Sequence, residues 1–202
     1  MKKILLFMMI PLILLNAVSA ASINIVSDTS NKYFDGTNWQ NAVATWVHGS
    51  WPSISGATWI WNSNLITDPS QDETVQFQKS FELPACNAYT GNIRITTDNE
   101  YILKINGNNV GSDTNWQNIE TYNIDSYLQH GTNLIEIEAK NRKCSTDNIP
   151  PDQCNAYNNP AGVLYSADIS YCDQAEVPEF TTVGATLALV GAGLYVYKKK
   201  KQ

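Results

Sequence analysis

The stretch ETVQFQKSFEL, residues 73–83, decides the fold class. Val75, Phe77, Phe81 and Leu83 fall on one side of an extended chain, and Lys79 is the exception in that row. Thr74, Gln76, Gln78, Ser80 and Glu82 fall on the other. A period of two is the signature of a half-buried β-strand. The same alternation recurs further along. NIRITT carries Ile93 and Ile95. NLIEIEAKN sets Ile135, Ile137 and Ala139 against Glu136, Glu138 and Lys140. GVLYSADIS sets Val163, Tyr165, Ala167 and Ile169 against Leu164, Ser166 and Asp168. YILKIN leads into Asn106-Gly107, a pair suited to the positive backbone angles of a tight hairpin turn.

Helical signal is scarce. QNAVATWV, residues 40–47, is expected to form a turn or two of helix, and IDSYLQHG one turn, with Asp125 near its start and Gly131 past its end. Short strands separated by turn residues predict an all-β protein, an antiparallel sandwich of jelly-roll type. KCSTDNIPPDQCNAYNNP breaks the even spacing and reads as a polar insertion at one rim.

Both ends of the 202-residue chain differ from this body. Residues 1–20 have two lysines, an apolar stretch and the small exit Val18-Ser19-Ala20, the pattern of a cleaved signal peptide. Residues 180–197 are uncharged and are followed by Lys198 to Lys201. Eighteen residues rise about 27 Å as a helix, close to a hydrocarbon core of about 30 Å. The lysines place that end inside by the positive-inside rule. The expected organisation is a signal peptide (1–20), a sandwich (21–173), a short linker (174–177) and a terminal segment (178–202) with a transmembrane helix over 180–197.

Residues 21–177 carry seven basic and eighteen acidic side chains, a formal −11, which the whole-chain value of −6 hides. Such a body excludes nucleic-acid binding by phosphate neutralisation. All four cysteines lie in it. Behind a signal peptide they are expected to pair. Of the three possible connectivities, Cys144–Cys154 closes a short loop, which leaves Cys86–Cys172. No CxxC is present, which disfavours zinc. No asparagine of the body begins an N-glycosylation sequon.

In order, the body reads NAVATWVHGSWPSISGATWIW, FQKSFELP, NIRITTDNEYILKINGNNVG, YNIDSYLQHGTNLIEIEAKN and NPAGVLYSADI. Over about residues 25–170 this resembles the galactose-binding-like β-sandwich, above all the accessory modules of α-L-rhamnosidases and the sugar-binding domains of β-galactosidase-type glycosidases. The resemblance implies a non-catalytic module, because the catalytic centre of those enzymes lies in a separate, larger domain. It also implies a structural calcium, for which Asp28 and Asp35 in SDTSNKYFDG are the candidates. It implies structural roles for Asp98, Asn99, Asn106, Gly107, Gly111, Gly131 and Asn133.

All six tryptophans lie in the body. Trp59 and Trp61, two apart in TWIW, are expected on one strand face, with Trp59 in the core. The loop residues Trp51 and Trp116 are the candidates for stacking on a sugar ring, with Asn115 and Asn141 as hydrogen-bonding neighbours. The two histidines, His48 and His130, are read as solvated or packing residues. GxSxG and HExxH are both missing, so no enzyme is expected.

Pro178-Glu179-Phe180, placed before the apolar run and the basic tail, resembles the PEF-CTERM sorting signal of archaeal surface proteins. That implies recognition by an archaeosortase, a membrane transpeptidase that cuts near the tripeptide and transfers the protein to a surface anchor. The combined expectation is an archaeal cell-surface protein presenting a carbohydrate-binding sandwich to an extracellular glycan. The alternative is a structural or adhesive surface-layer-associated protein with no sugar ligand, held by a retained transmembrane helix.

Overall fold

A computed structural model describes residues 20–172. The expected signal peptide, apart from Ala20, and the expected linker, Pro178-Glu179-Phe180 motif and transmembrane segment lie outside the described residues. Among the described residues no helix is long and apolar enough to cross a membrane.

The strands are β1 (Ala20–Val26), β2 (Lys32–Phe34), β3 (Trp39–Asn41), β4 (Val43–Ala44), β5 (Ile60–Trp61), β6 (Glu73–Leu83), β7 (Tyr89–Asp98), β8 (Glu100–Ile105), β9 (Asn108–Asp113), β10 (Glu120–Asn123), β11 (Gly131–Asn141) and β12 (Gly162–Cys172). They form two antiparallel sheets. The first has the order β10-β7-β12-β5-β4, with β1 also on β12. The second has the order β3-β2-β6-β11-β8-β9.

The core follows from the alternation. Val75, Phe77, Phe81 and Leu83 of β6, Ile135, Ile137 and Ala139 of β11, and Ile93 and Ile95 of β7 are all buried in one cluster with Val163, Tyr165, Ala167 and Ile169 of β12. β6 and β11 pair without interruption from Glu73↔Asn141 to Leu83↔Gly131. Lys79 breaks the apolar row because its ammonium reaches Asp28, 2.8 Å away. Asn106 and Gly107 both take positive φ, 52° and 76°, as the β8–β9 hairpin requires. The single helical turn appears as a 3-10 turn, Asp125–Tyr127.

Two local expectations are corrected. Residues 40–47 are not helical: they supply part of β3 and β4 and then irregular chain. Val43 pairs with Trp61 and Ala44 with Ile60, and these sheet contacts prevail over weak helix propensity. Trp59 and Trp61 do not share a face. β5 covers only Ile60 and Trp61, so Trp61 enters the main core and Trp59 joins a separate cluster outside the first sheet. At Gly111 the packing is close: a Cβ there would stand 2.1 Å from the Tyr122 ring.

Both expected disulfides are present, Cys86–Cys172 and Cys144–Cys154, with Cα separations of 5.7 and 5.8 Å. The first closes a long loop, ties the entry of β7 to the end of β12 and so restrains the unfolded chain most. Replacing Cys86 and Cys172 together by serine is expected to lower unfolding stability by about 2–5 kcal/mol. Denaturant titration of the double variant against the parent checks this. An unchanged midpoint would show that the long loop contributes no such restraint.

Candidate functional site

β12 is covered on both faces. Val163 and Tyr165 point into the sandwich, while Leu164 points outward and is still buried. The outer cover comes from the chain before β5. Trp51, Ile54 and Trp59 pack on Leu164, with Trp116 and Ile119 alongside. Trp51 and Trp59 stack with ring centroids 4.2 Å apart and planes 29° apart. The pair sits over Gly162, where a Cβ would come within 2.8 Å of the Trp59 ring and 3.1 Å of Trp51.

Beside this stack lies a cleft of about 290 Å³, lined in part by His48, Trp51, Asp98, Asn99, Trp116 and Asp147. Asp98 ends β7 and points to the outer side of the first sheet. Its Oδ2 accepts a hydrogen bond from Trp51 Nε1 at 2.9 Å. Asn99 holds the turn to β8 in place. Its backbone N–H donates to Lys140 O, its Oδ1 accepts from Arg142 N, and its Nδ2 donates to Asp147 Oδ2 at 3.0 Å. Asp147 and Asn158 come from the insertion stapled by Cys144–Cys154. Thr96 Oγ1 donates to Trp116 O and fixes the loop that carries Trp116. An arc of rings continues outward: His48 meets Trp116 edge-on at 6.4 Å, Trp46 meets His48 at 5.9 Å, and Tyr157 meets Trp46 at 5.3 Å.

Burial pushes the Asp98 carboxyl up to about 7, and the Asp147 charge adds to the rise against the Trp51 hydrogen bond. Burial also raises Asp147, against the pull of Arg142 and the Asn99 hydrogen bond. The cleft thus holds two carboxylates whose proton affinity is raised, and the Asp147 charge is part of the cause at Asp98.

Of the residues expected at a ligand site, the structure brings Trp51 and Trp116 to one cleft. Trp51 is packed rather than presented: it is 8% exposed, and Trp59 takes one of its faces. Trp116 is half-buried and is the better stacking wall. Asn115 is exposed and spends its Oδ1 on Gln117 N, holding the loop's turn. Asn141 is corrected outright. It follows the inward row of β11, is fully buried, and neither of its amide atoms has a hydrogen-bond partner among the described residues.

Asp28 and Asp35 do not fit a calcium. Burial pushes Asp28 up, but Lys79 and Ser30 outweigh it and hold the carboxyl low, so a cation already neutralises it. The Asp35 carboxyl accepts from Asn38 N and Thr37 N, which hold it below its ordinary range. Among the described residues no three His, Cys, Asp or Glu side chains converge as a metal group. Asp98 and Asn99 were legible only as turn residues, and Asp147 only as part of a polar loop. Their meeting depends on tertiary structure.

No protein-family model matches the chain, and no curated protein matches it. Among solved structures it is similar to an FMN-binding β-glucuronidase from Facaelibacterium prausnitzii L2-6, with 15% identity, a TM-score of 0.48, and coverage of 76% of this chain and 23% of that one. A family 35 carbohydrate binding module from Clostridium thermocellum aligns at 13% identity and TM-score 0.39, over 72% of this chain and 97% of that one. The lectin of Pleurotus ostreatus aligns at 20% identity and TM-score 0.40, over 57% of this chain and 33% of that one. The chain thus spans about a quarter of the glucuronidase's length. Its function has to be read from its own cleft.

The Asp98 shift has a definite sign. The carboxyl's ordinary value is 3.8, and in the fold it is about 7. Between those values the folded chain binds more protons than the unfolded one, so the group's contribution to stability falls as pH rises. It is fully present below about 3.8 and lost above about 7. Asp98→Asn keeps an oxygen for Trp51 and removes the titration. From pH 5 to pH 8 the parent is expected to lose about 3 kcal/mol of unfolding stability relative to Asp98→Asn. Parallel denaturation profiles for the two proteins would refute the buried-charge assignment.

Proposed function

We propose that the body is a non-catalytic saccharide-binding module, delivered to the cell surface, that takes its ligand in the Trp116 cleft. One observation carries this reading. The cleft sets an aromatic wall, Trp116 with His48, against the amide of Asn158 and the carboxylate of Asp147. A sugar needs that pairing: a flat apolar surface for its C–H face and short polar groups for its hydroxyls. The volume lies at the small end of ligand sites, which suits one or two sugar units at a chain end.

The surface location is supported by the two disulfides, which persist in oxidising compartments. The proposed route is the one implied by residues 178–202: archaeosortase recognition of Pro178-Glu179-Phe180 and transfer to an anchor at an archaeal membrane. Intact mass and C-terminal mapping of the surface protein are expected to end near residue 180. A mature chain that keeps Leu187 to Tyr197 would favour a retained membrane helix.

A second reading, adhesion without a sugar ligand, is favoured by a different surface. On the outer side of the second sheet Trp39 and Ile102 are 41% and 39% exposed, and Phe34 packs against Trp39 at 5.4 Å. A glycan panel presented to residues 20–172 separates the two readings. Saccharide binding that weakens at least about tenfold in Trp116→Ala, with the circular dichroism spectrum unchanged, is expected. Binding to no glycan, or binding lost in Trp39→Ala instead, would overturn the assignment of the ligand to the cleft.

A further inference from the structure

The electrostatics of the cleft narrow its ligand class, on the reading that the cleft binds a saccharide. No Lys or Arg lines it, whereas Asp98 and Asp147 both do. Asp98 is only 5% exposed, yet its second oxygen, Oδ1, receives no hydrogen bond from any described residue. Oδ1 is also not among the sealed buried atoms that lack a partner, so it opens toward the cleft that the residue lines. The cation nearest to Asp147 is Arg142, whose Nη1 stands 3.9 Å from Asp147 Oδ1. Arg142 is shared: Glu100 engages its Nε while its Nη1 faces Asp147. Burial and the Asp147 charge raise the proton affinity of Asp98. Asp98, Asp147 and Glu100 thus have one guanidinium among them, which leaves the group short of positive charge on its cleft side.

We propose that the cleft selects saccharides bearing a protonated amine, with the ammonium seated at Asp147 above Asp98 and the sugar ring against Trp116. The amine supplies the missing charge and donates to both carboxylates. The ring of Trp116 adds a face that attracts a cation. Asn158 lines the same cleft, with its Nδ2 given to Gln153 O and its Oδ1 left for a hydroxyl. The acidic body, at −11, concentrates cationic ligands around it. A divalent metal is the other source of positive charge, and it is disfavoured. Calcium takes six to eight oxygens. Here the Asn99 Oδ1 is already occupied by Arg142 N, and one Asp98 oxygen by Trp51.

The test uses residues 20–172 with both disulfides, a unit compact in itself. Methyl glycosides of glucosamine, galactosamine and mannosamine are titrated beside their N-acetyl and neutral hydroxyl counterparts, with calcium chloride and with chelator, by ligand-observed NMR. At least one amine is expected to bind about tenfold or more tighter than its N-acetyl form. The preference, read as the ratio of amine to N-acetyl affinity within each variant, should disappear in Asp147→Asn and shrink in Asp98→Asn. Thermal melting of each variant guards against misfolding, and parallel titrations at raised salt separate cleft binding from attraction to the acidic surface. If amine and N-acetyl forms bind equally, the charge selection is overturned and the saccharide reading stands. If calcium binds the cleft and displaces the amine, the missing charge belongs to a metal and the proposal fails. If no sugar binds in any state, the saccharide reading itself falls.

Discussion

β12 is apolar on both sides, and the rest of the molecule is arranged around that constraint. One side is met by the second sheet, through Val163, Tyr165, Ala167 and Ile169. The other would leave Leu164 in water at the middle of a sheet. A flat cover is required there, and the chain supplies it by folding Trp51 and Trp59 over Gly162. Large rings bury the most area for the fewest residues. An indole also brings an N–H that must find an acceptor once buried. For Trp59 that acceptor is Pro52 O. For Trp51 it is the Asp98 carboxylate. The cover of a hydrophobic strand thereby fixes a buried charge at the sheet's rim, beside the cleft.

The main core was legible in the sequence because it rests on a local rule. Each inward side chain of β6, β7, β11 and β12 is two residues from the next, and neighbours in sequence are enough to show it. Lys79 looked like an error in that pattern, and Asp28 explains it from 51 residues away. The rim was less legible for the same reason. Trp51 read as a loop tryptophan because nothing near it in sequence reports Gly162. Asn141 read as a hydrogen-bonding neighbour of a sugar, although the register of β11 carries it inside. The pairing of Asp98 with Asp147 joins a strand end to a polar insertion, across a distance that no periodicity spans. Cysteine spacing gave the one long-range clue, since Cys144–Cys154 placed the insertion as a closed unit.

The charges of the body divide into two kinds. Asp35, Asp68, Asp72 and Asp125 are exposed carboxylates that cap turns or neighbouring backbone, and hydrogen bonds hold them below their ordinary range. They serve the fold's edges and need no partner beyond it. Asp98 and Asp147 run the other way, raised by burial, with the Asp147 charge adding to the first and those of Asp72 and Glu100 to the second. A protein with many acidic residues gains solubility from the first kind. The second kind is costly, and proteins keep such groups where a ligand compensates them.

The base of the Cys144–Cys154 insertion is closed twice. Asn159 Nδ2 donates to Arg142 O and to Pro69 O, and Cys144 N donates to the same Pro69 oxygen. The chain therefore leaves the sheet at Arg142 and returns beside it at Asn159, with no sheet hydrogen bond drawn from the residues between. That makes residues 143–158 an exchangeable cassette. Their sequence can drift, lengthen or be swapped while β11 and β12 keep their register. One wall of the cleft is thus free to change at a pace the sandwich does not share, so related chains could keep a single scaffold and diverge in what they recognise.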